Sequence, residues 1–411
     1  MPDLDRRLRT IVIGYLCEPG RGSERGAGWG MLQGLLQFSD CTLICGPESG
    51  ARIRRWLSSH PSASLDIMVV SEPLWAPAFK RNRIGEFLTY LAWQRRARRV
   101  GRELASTRHF DVAFHATLSA FWLPSVATDL GLPSVWGPVG GAVTTPTALW
   151  PLLGWRGVGV ELVDWIAVRM MSLLRSTRGT WRSADVRIVQ NAETLQRLPS
   201  DLRAGTVVMN HAEFHRVSVS DGVAAPVRSG GYVAWVSPME SRKGPELAVR
   251  SLAATSKNTR MIMAGDGPER SRIEALARSL GVADRIDFVG LVPHTEALAI
   301  IRDADVAMFT GMREEGGLAL AEAMLFGTPV VVLANGGADA LARAATDPQR
   351  VERVQPRGTT RTVAAMAAAL ETQLERNRTQ PRHVRYPLID QQGAVEKLQE
   401  LVLRAALRGR G

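Results

Sequence analysis

Two carboxylates, Glu314 and Glu322, stand eight residues apart around a glycine pair in the stretch GMREEGGLALAEAMLFGTPVVV, residues 311 to 332. Carboxylates accept hydrogen bonds from paired hydroxyls, and a glycine-rich turn that opens a helix offers bare amides to an anion. The amides of Gly316, Gly317 and Leu318, helped by the helix dipole, predict a phosphate site to which glycine allows close approach. Glu322 falls roughly 7.5 Å along the helix axis, whereas Glu314 lies in the loop on the other side of those amides. One ligand could touch both. A nucleotide diphosphate sugar has hydroxyls on its ribose and on its hexose, with a diphosphate between, so Glu322 on ribose, amides on phosphate and Glu314 on hexose form a coherent assignment.

Lys243 lies in YVAWVSPMESRKGPELAVRSLA (232 to 253), in a basic turn after an apolar run. Of 51 basic residues only Lys80, Lys243, Lys257 and Lys397 are lysine, so a lysine in this chain has a reason or is chance. His115 ends the apolar run DVAFHA, and the ends of strands face the ligand crevice in doubly wound sheets. It reads either as a buried structural histidine or as a hydrogen-bonding partner of the sugar or the incoming hydroxyl; His211 and His294 have weaker claims. The stretch CEPGRGSERGAGWG (17 to 30) reads as a loop whose amides at Gly26, Ala27 and Gly28 wrap the diphosphate or the acceptor. Its spacing does not fit a dehydrogenase fingerprint, and no acidic ribose ligand follows at the expected distance.

These residues need strands and helices to position them. Short apolar runs alternate with helical patterns, first TIVIGYL (10 to 16), CTLIC, LDIMVV, DVAFHA, PSVWGP and VRIVQN, then a second series from TVVMN near Thr206 through YVAWVS, RMIMAG, IDFVG, VAMFT and PVVVL. The pattern predicts an α/β protein of two Rossmann-like, doubly wound domains, at 1–205 and 206–386, with a loop from Ser218 to Gly231. Residues 387–411 form a last helix expected to pack back on the first domain.

The bulk composition agrees with a two-domain globular chain: 411 residues, 45% hydrophobic and 22% charged, excludes disordered and collagen-like readings. Cys17, Cys41 and Cys45 lack partners at metal-ligand spacing, and the first residues read as a strand, not a signal peptide, so a reducing cytoplasm is expected. A net charge of +11 fits an anionic substrate, an acidic membrane surface or nucleic acid. The basic segment 80 to 104 reads as a helix with a solvated basic face or as one lying on anionic lipid, and no nucleic-acid motif accompanies it. The apolar segment 149 to 174 is interrupted by Arg156, Glu161, Asp164 and Arg169, at roughly 2.5 to 3.5 kcal/mol for each charge at a bilayer centre, which excludes a span. A partly buried helix pair and a shallow contact with lipid or a greasy acceptor remain open.

The motif of glutamate, seven residues and glutamate, followed by AMLFGTPVVV, resembles the retaining glycosyltransferases of the group called family 4. SVWGPVGGAVTTP (134 to 146) is similar to a loop of a bacterial branch. The resemblance implies the GT-B fold, two Rossmann-like domains facing a cleft, and transfer of a hexose from a UDP- or GDP-type donor to a hydroxyl of a glycan, a lipid-linked sugar or a natural product, with retention and without a metal or other cofactor. It further implies His115, Glu314 and Lys243 at the chemistry, and backbone groups near Leu291 and Val292, in FVGLVPH, on the base. Two departures stand out. The family has one glutamate and then Gly-Phe-Gly where this chain has Glu314, Glu315, Gly316, Gly317, so Glu315 competes with Glu314. Pro238 occupies the family's arginine position, with Ser237 at the glycine before it, and Arg242 reads either as a replacement cation or as a solvated turn residue. A sugar-nucleotide epimerase, a non-catalytic transferase-like partner and a basic membrane or nucleic-acid adaptor are the competing functions; peripheral contact at the inner face of a membrane is compatible with the transferase reading.

Overall fold

The computed structural model describes residues 6–20, 23–61, 64–79, 83–118, 120–216, 231–379 and 386–408. The segment expected as a loop from Ser218 to Gly231 lies almost wholly outside them. Two compact units emerge: Met1–Ala142, Val168–His215 and Gln391–Gly411 form the first, and Val143–Ala167 with Arg216–Asp390 form the second. Val143–Ala167 was expected in the first domain, but its Leu149, Leu152 and Leu153 pack among Val233, Trp235 and Met263 of the second.

The first unit is built on β1 (Leu8–Ile13), β2 (Ser39–Cys45), β3 (Leu65–Val69), β4 (Val112–His115), β5 (Ser134–Val139), β6 (Val186–Val189) and β7 (Thr206–Val208), ordered β3-β2-β1-β4-β5-β6-β7. Every pairing is parallel. Parallel sheets are covered on both faces, and alternate residues sort accordingly. Val12, Leu43, Val112 and Phe114 enter one core with Met31 and Leu35 of helix Ser23–Leu35, while Ile11, Ile13, Ile44 and Ala113 face a second with Tyr90, Trp93 and Ala97 of helix Arg83–Thr107. The run TVVMN, expected to open the second series, is instead the outer strand of this sheet, with Thr206 opposite Arg187. Helix Gln391–Arg408 lays Ala394, Val395, Leu398 and Val402 into the same core as Met31 and Phe214.

The second unit repeats the plan with β8 (Tyr232–Val236), β9 (Arg260–Ala264), β10 (Ile286–Gly290), β11 (Val306–Phe309), β12 (Val330–Leu333) and β13 (Val351–Val354), ordered β10-β9-β8-β11-β12-β13 and again parallel. Chain order reverses between β8 and β11, as it does between β1 and β4. At such a reversal the two following loops diverge to opposite faces and leave a crevice at the strands' carboxyl ends. Lys243 follows β8 and Glu314 follows β11.

Candidate functional site

The loop after β8 and the loop after β11 are laced by backbone. Met312 and Arg313 both donate to the Arg242 carbonyl, at 2.8 and 3.3 Å. Thr310 donates to the Lys243 carbonyl at 2.9 Å and accepts from the Trp235 indole at 2.8 Å, which buries its hydroxyl without leaving it unpaired. Gly244 makes this approach possible: its φ is +66°, and a Cβ there would lie 2.3 Å from the Thr310 carbonyl oxygen. Helix Pro245–Ala253 starts immediately afterwards, with proline in its first turn, so the Ser241–Lys243 turn is held from both sides.

Lys243 meets Glu314 in this frame. Its Nζ forms an ion pair with Glu314 Oε2, while Glu314 Oε1 accepts from the Gly317 amide at 3.3 Å. Gly317 caps helix Leu318–Leu325 with φ +78°, and having no side chain it covers none of that helix's first amides itself. Burial alone would raise the Glu314 carboxyl, but Lys243, then Arg242 and the Gly317 amide, more than offset it and hold it below the usual carboxylate range. The result is a charged, mostly buried pair at a helix tip: a lysine, a carboxylate and backbone N–H groups within one hydrogen-bonded cluster, in which an anion can replace the carboxylate on the lysine.

Glu315 goes elsewhere. Its Oε1 accepts from the Val143 amide at 2.9 Å, which fixes the start of the Val143–Ala167 segment. Glu322, on the fifth residue of helix Leu318–Leu325, is buried, and its Oε1 lies 2.8 Å from Nε2 of His294, the first residue of helix His294–Asp303. His294 is thus the partner of the expected ribose ligand, a pairing that its sequence position after FVGLVP gave little reason to single out. Leu291 is 85% exposed, and Val292 packs against the Tyr232 and Ile300 cluster. The Arg242 guanidinium pairs with Glu240 at 2.7 Å, so its place beside Lys243 is through its backbone and its field, not a direct contact with Glu314. Asn335, also missed by sequence reasoning, donates to the Met312 carbonyl at 2.6 Å and to that of Thr144 at 3.2 Å, and anchors the Glu314 loop.

The first unit places its expected residues differently. Gly26, Ala27 and Gly28 do not form a loop: they lie inside helix Ser23–Leu35, where from Ala27 onward each amide closes on the carbonyl four residues back. The reason for glycine is packing, since a Cβ on Gly28 would lie 2.0 Å from the Thr117 side chain. His115 ends β4 and is 2% exposed; its Nδ1 is 3.0 Å from the Ser125 hydroxyl and its ring bonds the Leu118 backbone. Burial pushes its pKa down to about 4, against a smaller opposing effect of the Leu118 hydrogen bond, so the ring is neutral at pH 7. The three cysteines are buried thiols, and burial pushes those of Cys41 and Cys45 up to about 12. Among the described residues no group of three or more His, Cys, Asp or Glu could hold a metal ion. A cavity of about 690 Å³ lies near the amino ends of β1 to β3, between Arg9, Asp66 and Arg108, at the end of the sheet opposite to His115.

Comparison with known proteins places weight on the second unit. Residues 229–379 match the family described as glycosyl transferases group 1. The chain is 33% identical over 129 residues to a 2-deoxystreptamine glucosyltransferase of Streptomyces kanamyceticus, across 31% of this chain and 33% of that protein. It is 33% identical over 114 residues to a D-inositol 3-phosphate glycosyltransferase of Corynebacterium glutamicum, across 26% of this chain and 27% of that protein. The chain thus spans a third or less of the length of these curated relatives. HepE of Anabaena, solved in complex with UDP and glucose, aligns over 97% of this chain and 100% of its own with a TM-score of 0.54 and 16% identity, which is a likeness of fold. By fold the chain is a GT-B protein of two Rossmann-like α/β units, and its residues 229–379 are similar to the glycosyl transferases group 1 family.

Proposed function

We propose that the protein is a retaining, family 4 glycosyltransferase that moves a hexose from a UDP- or GDP-type sugar to a hydroxyl acceptor, without a metal. The observation that carries the reading is the cluster of Lys243, Glu314 and the Gly317 amide at the carboxyl ends of β8 and β11. As the glycosidic bond breaks, charge builds on the diphosphate, and an ammonium aimed at a helix tip stabilises that charge more than it stabilises the bound donor. Lys243 and the amides of Gly317 and Leu318 take the diphosphate, Glu322 takes the ribose hydroxyls, and Glu314, released from Lys243, takes a hydroxyl of the hexose. Backbone groups near Leu291 and Val292 receive the base. The leaving phosphate accepts the proton of the attacking hydroxyl on the same face, so no separate carboxylate base is assigned. His115 stays neutral and supports the end of β4.

The relatives are named for 2-deoxystreptamine and D-inositol 3-phosphate, and WaaG, a fold neighbour with a TM-score of 0.51, is described as a glycosyltransferase involved in lipopolysaccharide biosynthesis. For this chain the acceptor class stays a hydroxyl on a glycan, a lipid-linked sugar or a natural product, reached in the cytoplasm with peripheral contact at the inner face of the membrane. The test is a thermal-shift panel of UDP- and GDP-sugars, followed by transfer with the best donor in the presence of a chelator and anomeric analysis of the product by NMR. A sugar nucleotide that raises the melting temperature and yields a product of retained configuration supports the reading. Inversion, epimerisation of the donor alone, or activity that the chelator abolishes and magnesium restores would each overturn a part of it.

A further inference from the structure

Helix Gly154–Met171 is built inside out. A surface helix in water normally turns its apolar stripe to the core and its charges to solvent. Here the one buried residue of the helix is Glu161, and Asp164 is turned in beside it. Arg313 holds both, with Nε 3.4 Å from Glu161 and Nη1 2.8 Å from Asp164. Trp155, Leu162, Val163 and Ile166, which fall within an arc of about 100° at 3.6 residues per turn, are all exposed, Trp155 at 80% and Val163 at 66%.

Charge on this arc has one sign. Arg156 lies over the Trp155 ring at 5.0 Å, and Arg169 is exposed near the other end. Glu161 and Asp164 are the only acids of the helix, and Arg313 withdraws both from the outer side. An apolar arc bordered by arginines and free of carboxylates matches the boundary of an anionic bilayer, with alkyl and indole groups at the acyl edge and guanidinium groups among the phosphates. A symmetric contact with a second copy would set the same arginines against each other with no acid on the arc to pair them. Crossing is excluded, because among the described residues no helix is long and apolar enough to span a membrane.

The basic helix Arg83–Thr107 does not compete for this role. Its Tyr90, Trp93 and Ala97 are in the core of the first unit, and Arg98 and Arg102 are engaged with the Asp129 carboxylate and carbonyl. We infer that the outward arc of Gly154–Met171 docks the protein on an anionic lipid surface, lying in the headgroup plane. The inference rests on the peripheral-contact reading given above and is independent of the chemistry of transfer.

Cosedimentation of the full chain with vesicles of phosphatidylcholine alone, and of phosphatidylcholine mixed with phosphatidylglycerol, tests it. The expected result is binding to the mixed vesicles only, weakened by added salt, and at least about tenfold weaker in the triple variant Leu162→Ser, Val163→Ser, Ile166→Ser, whose sites are exposed. Val163→Glu, which puts one carboxylate on the arc, is expected to act in the same direction. Both variants should keep the wild-type circular dichroism spectrum and the wild-type rate on a water-soluble acceptor. Wild-type binding that both variants retain would overturn the assignment to this helix and leave peripheral contact standing. Failure of the wild type to bind mixed vesicles would overturn both, and a concentration-dependent dimer in sizing experiments that the triple variant abolishes would give the arc to a second copy.

Discussion

The two units share a plan, and their strand-end loops differ in what they do with charge. In the first unit the residue after β1 that could meet a ligand is Glu18, whose side chain is fully buried against Arg25 and Arg52, the latter at 3.0 Å, with Ser49 beside it. Two planar guanidinium groups pin one carboxylate from two sides. In the second unit Lys243, after β8, the counterpart of β1, keeps 15% of its side chain exposed, and its partner Glu314, after the neighbouring β11, keeps 21%. A single ammonium on a flexible stem can move to another anion, whereas a carboxylate clamped by two arginines and sealed from water has no such freedom. A crevice at the carboxyl ends of a parallel sheet is therefore supplied by topology, but the phosphate site proposed for it depends on one exchangeable ion pair.

Removing the exchangeable cation should have the largest effect. Lys243→Ala is expected to lower the transfer rate about 100- to 1000-fold, the range typical for losing one preorganised group that faces developing charge. The variant should fold normally, because Glu314 keeps the Gly317 amide and partial access to water. Steady-state kinetics with the best donor, alongside a circular dichroism spectrum, measures this. A rate within about threefold of wild type would remove the contrast between the units.

The next effect belongs to the first unit and concerns folding. Burial pushes the His115 pKa down from the ordinary 6.5 to about 4 in the folded chain. Its contribution is fully present above pH 6.5 and is lost as pH falls toward 4, because the unfolded chain takes up a proton that the buried ring refuses. The loss amounts to about 3 kcal/mol across that window at about 1.4 kcal/mol per pH unit. His115→Asn should flatten the fall between pH 6.5 and 5, a range in which Glu314, held below its ordinary 4.5, does not titrate. Urea midpoints of both proteins at several pH values test this. Parallel curves would mean that the ring is protonated in place, and would reopen a direct role in transfer.

The same contrast explains what sequence could reveal. The strands β8 to β12 and the loops after β8 and β11 were legible because apolar runs end abruptly at glycines and charges, and that is what a buried parallel strand followed by a ligand loop requires. β13 was not. VERV is short and places Glu352 and Arg353 in a strand, and their acceptability comes from Arg376 and Asp339, which are distant in sequence. TVVMN joins the first sheet and not the second, because the pairing of Thr206 with Arg187 is a tertiary choice that no local pattern contains. The glycine at 28 imitates part of a loop, because the steric demand of Thr117, nearly ninety residues on, overrides helix propensity at that spot. The inward acids of Gly154–Met171 needed knowledge of Arg313, and no local pattern contains it.

Within the second unit, Glu322 sharpens the comparison from the donor side. Glu322→Gln keeps an acceptor for the His294 ring but removes the charge that two ribose hydroxyls would share. KM for the donor is expected to rise about tenfold with little change in kcat, the pattern of an interaction present equally in ground and transition states. An unchanged KM would place the ribose elsewhere.

The smallest effect is expected at Glu315, and it decides between the two adjacent carboxylates. Glu315 Oε1 accepts from the Val143 amide, and glutamine offers an oxygen in the same position, so Glu315→Gln should leave kcat/KM within about threefold of wild type. Glu314→Gln removes the negative charge that Lys243 pairs with and should cost at least about tenfold in the same assay, since an ion-pair partner is lost together with the sugar contact proposed for it. The ratio of the two losses is the informative quantity, because any general disturbance of the loop by an amide affects both variants. If Glu315→Gln proved the worse of the two, the hexose contact would move by one residue. The Lys243–Glu314 pair would then serve to hold the lysine in place until the diphosphate arrives.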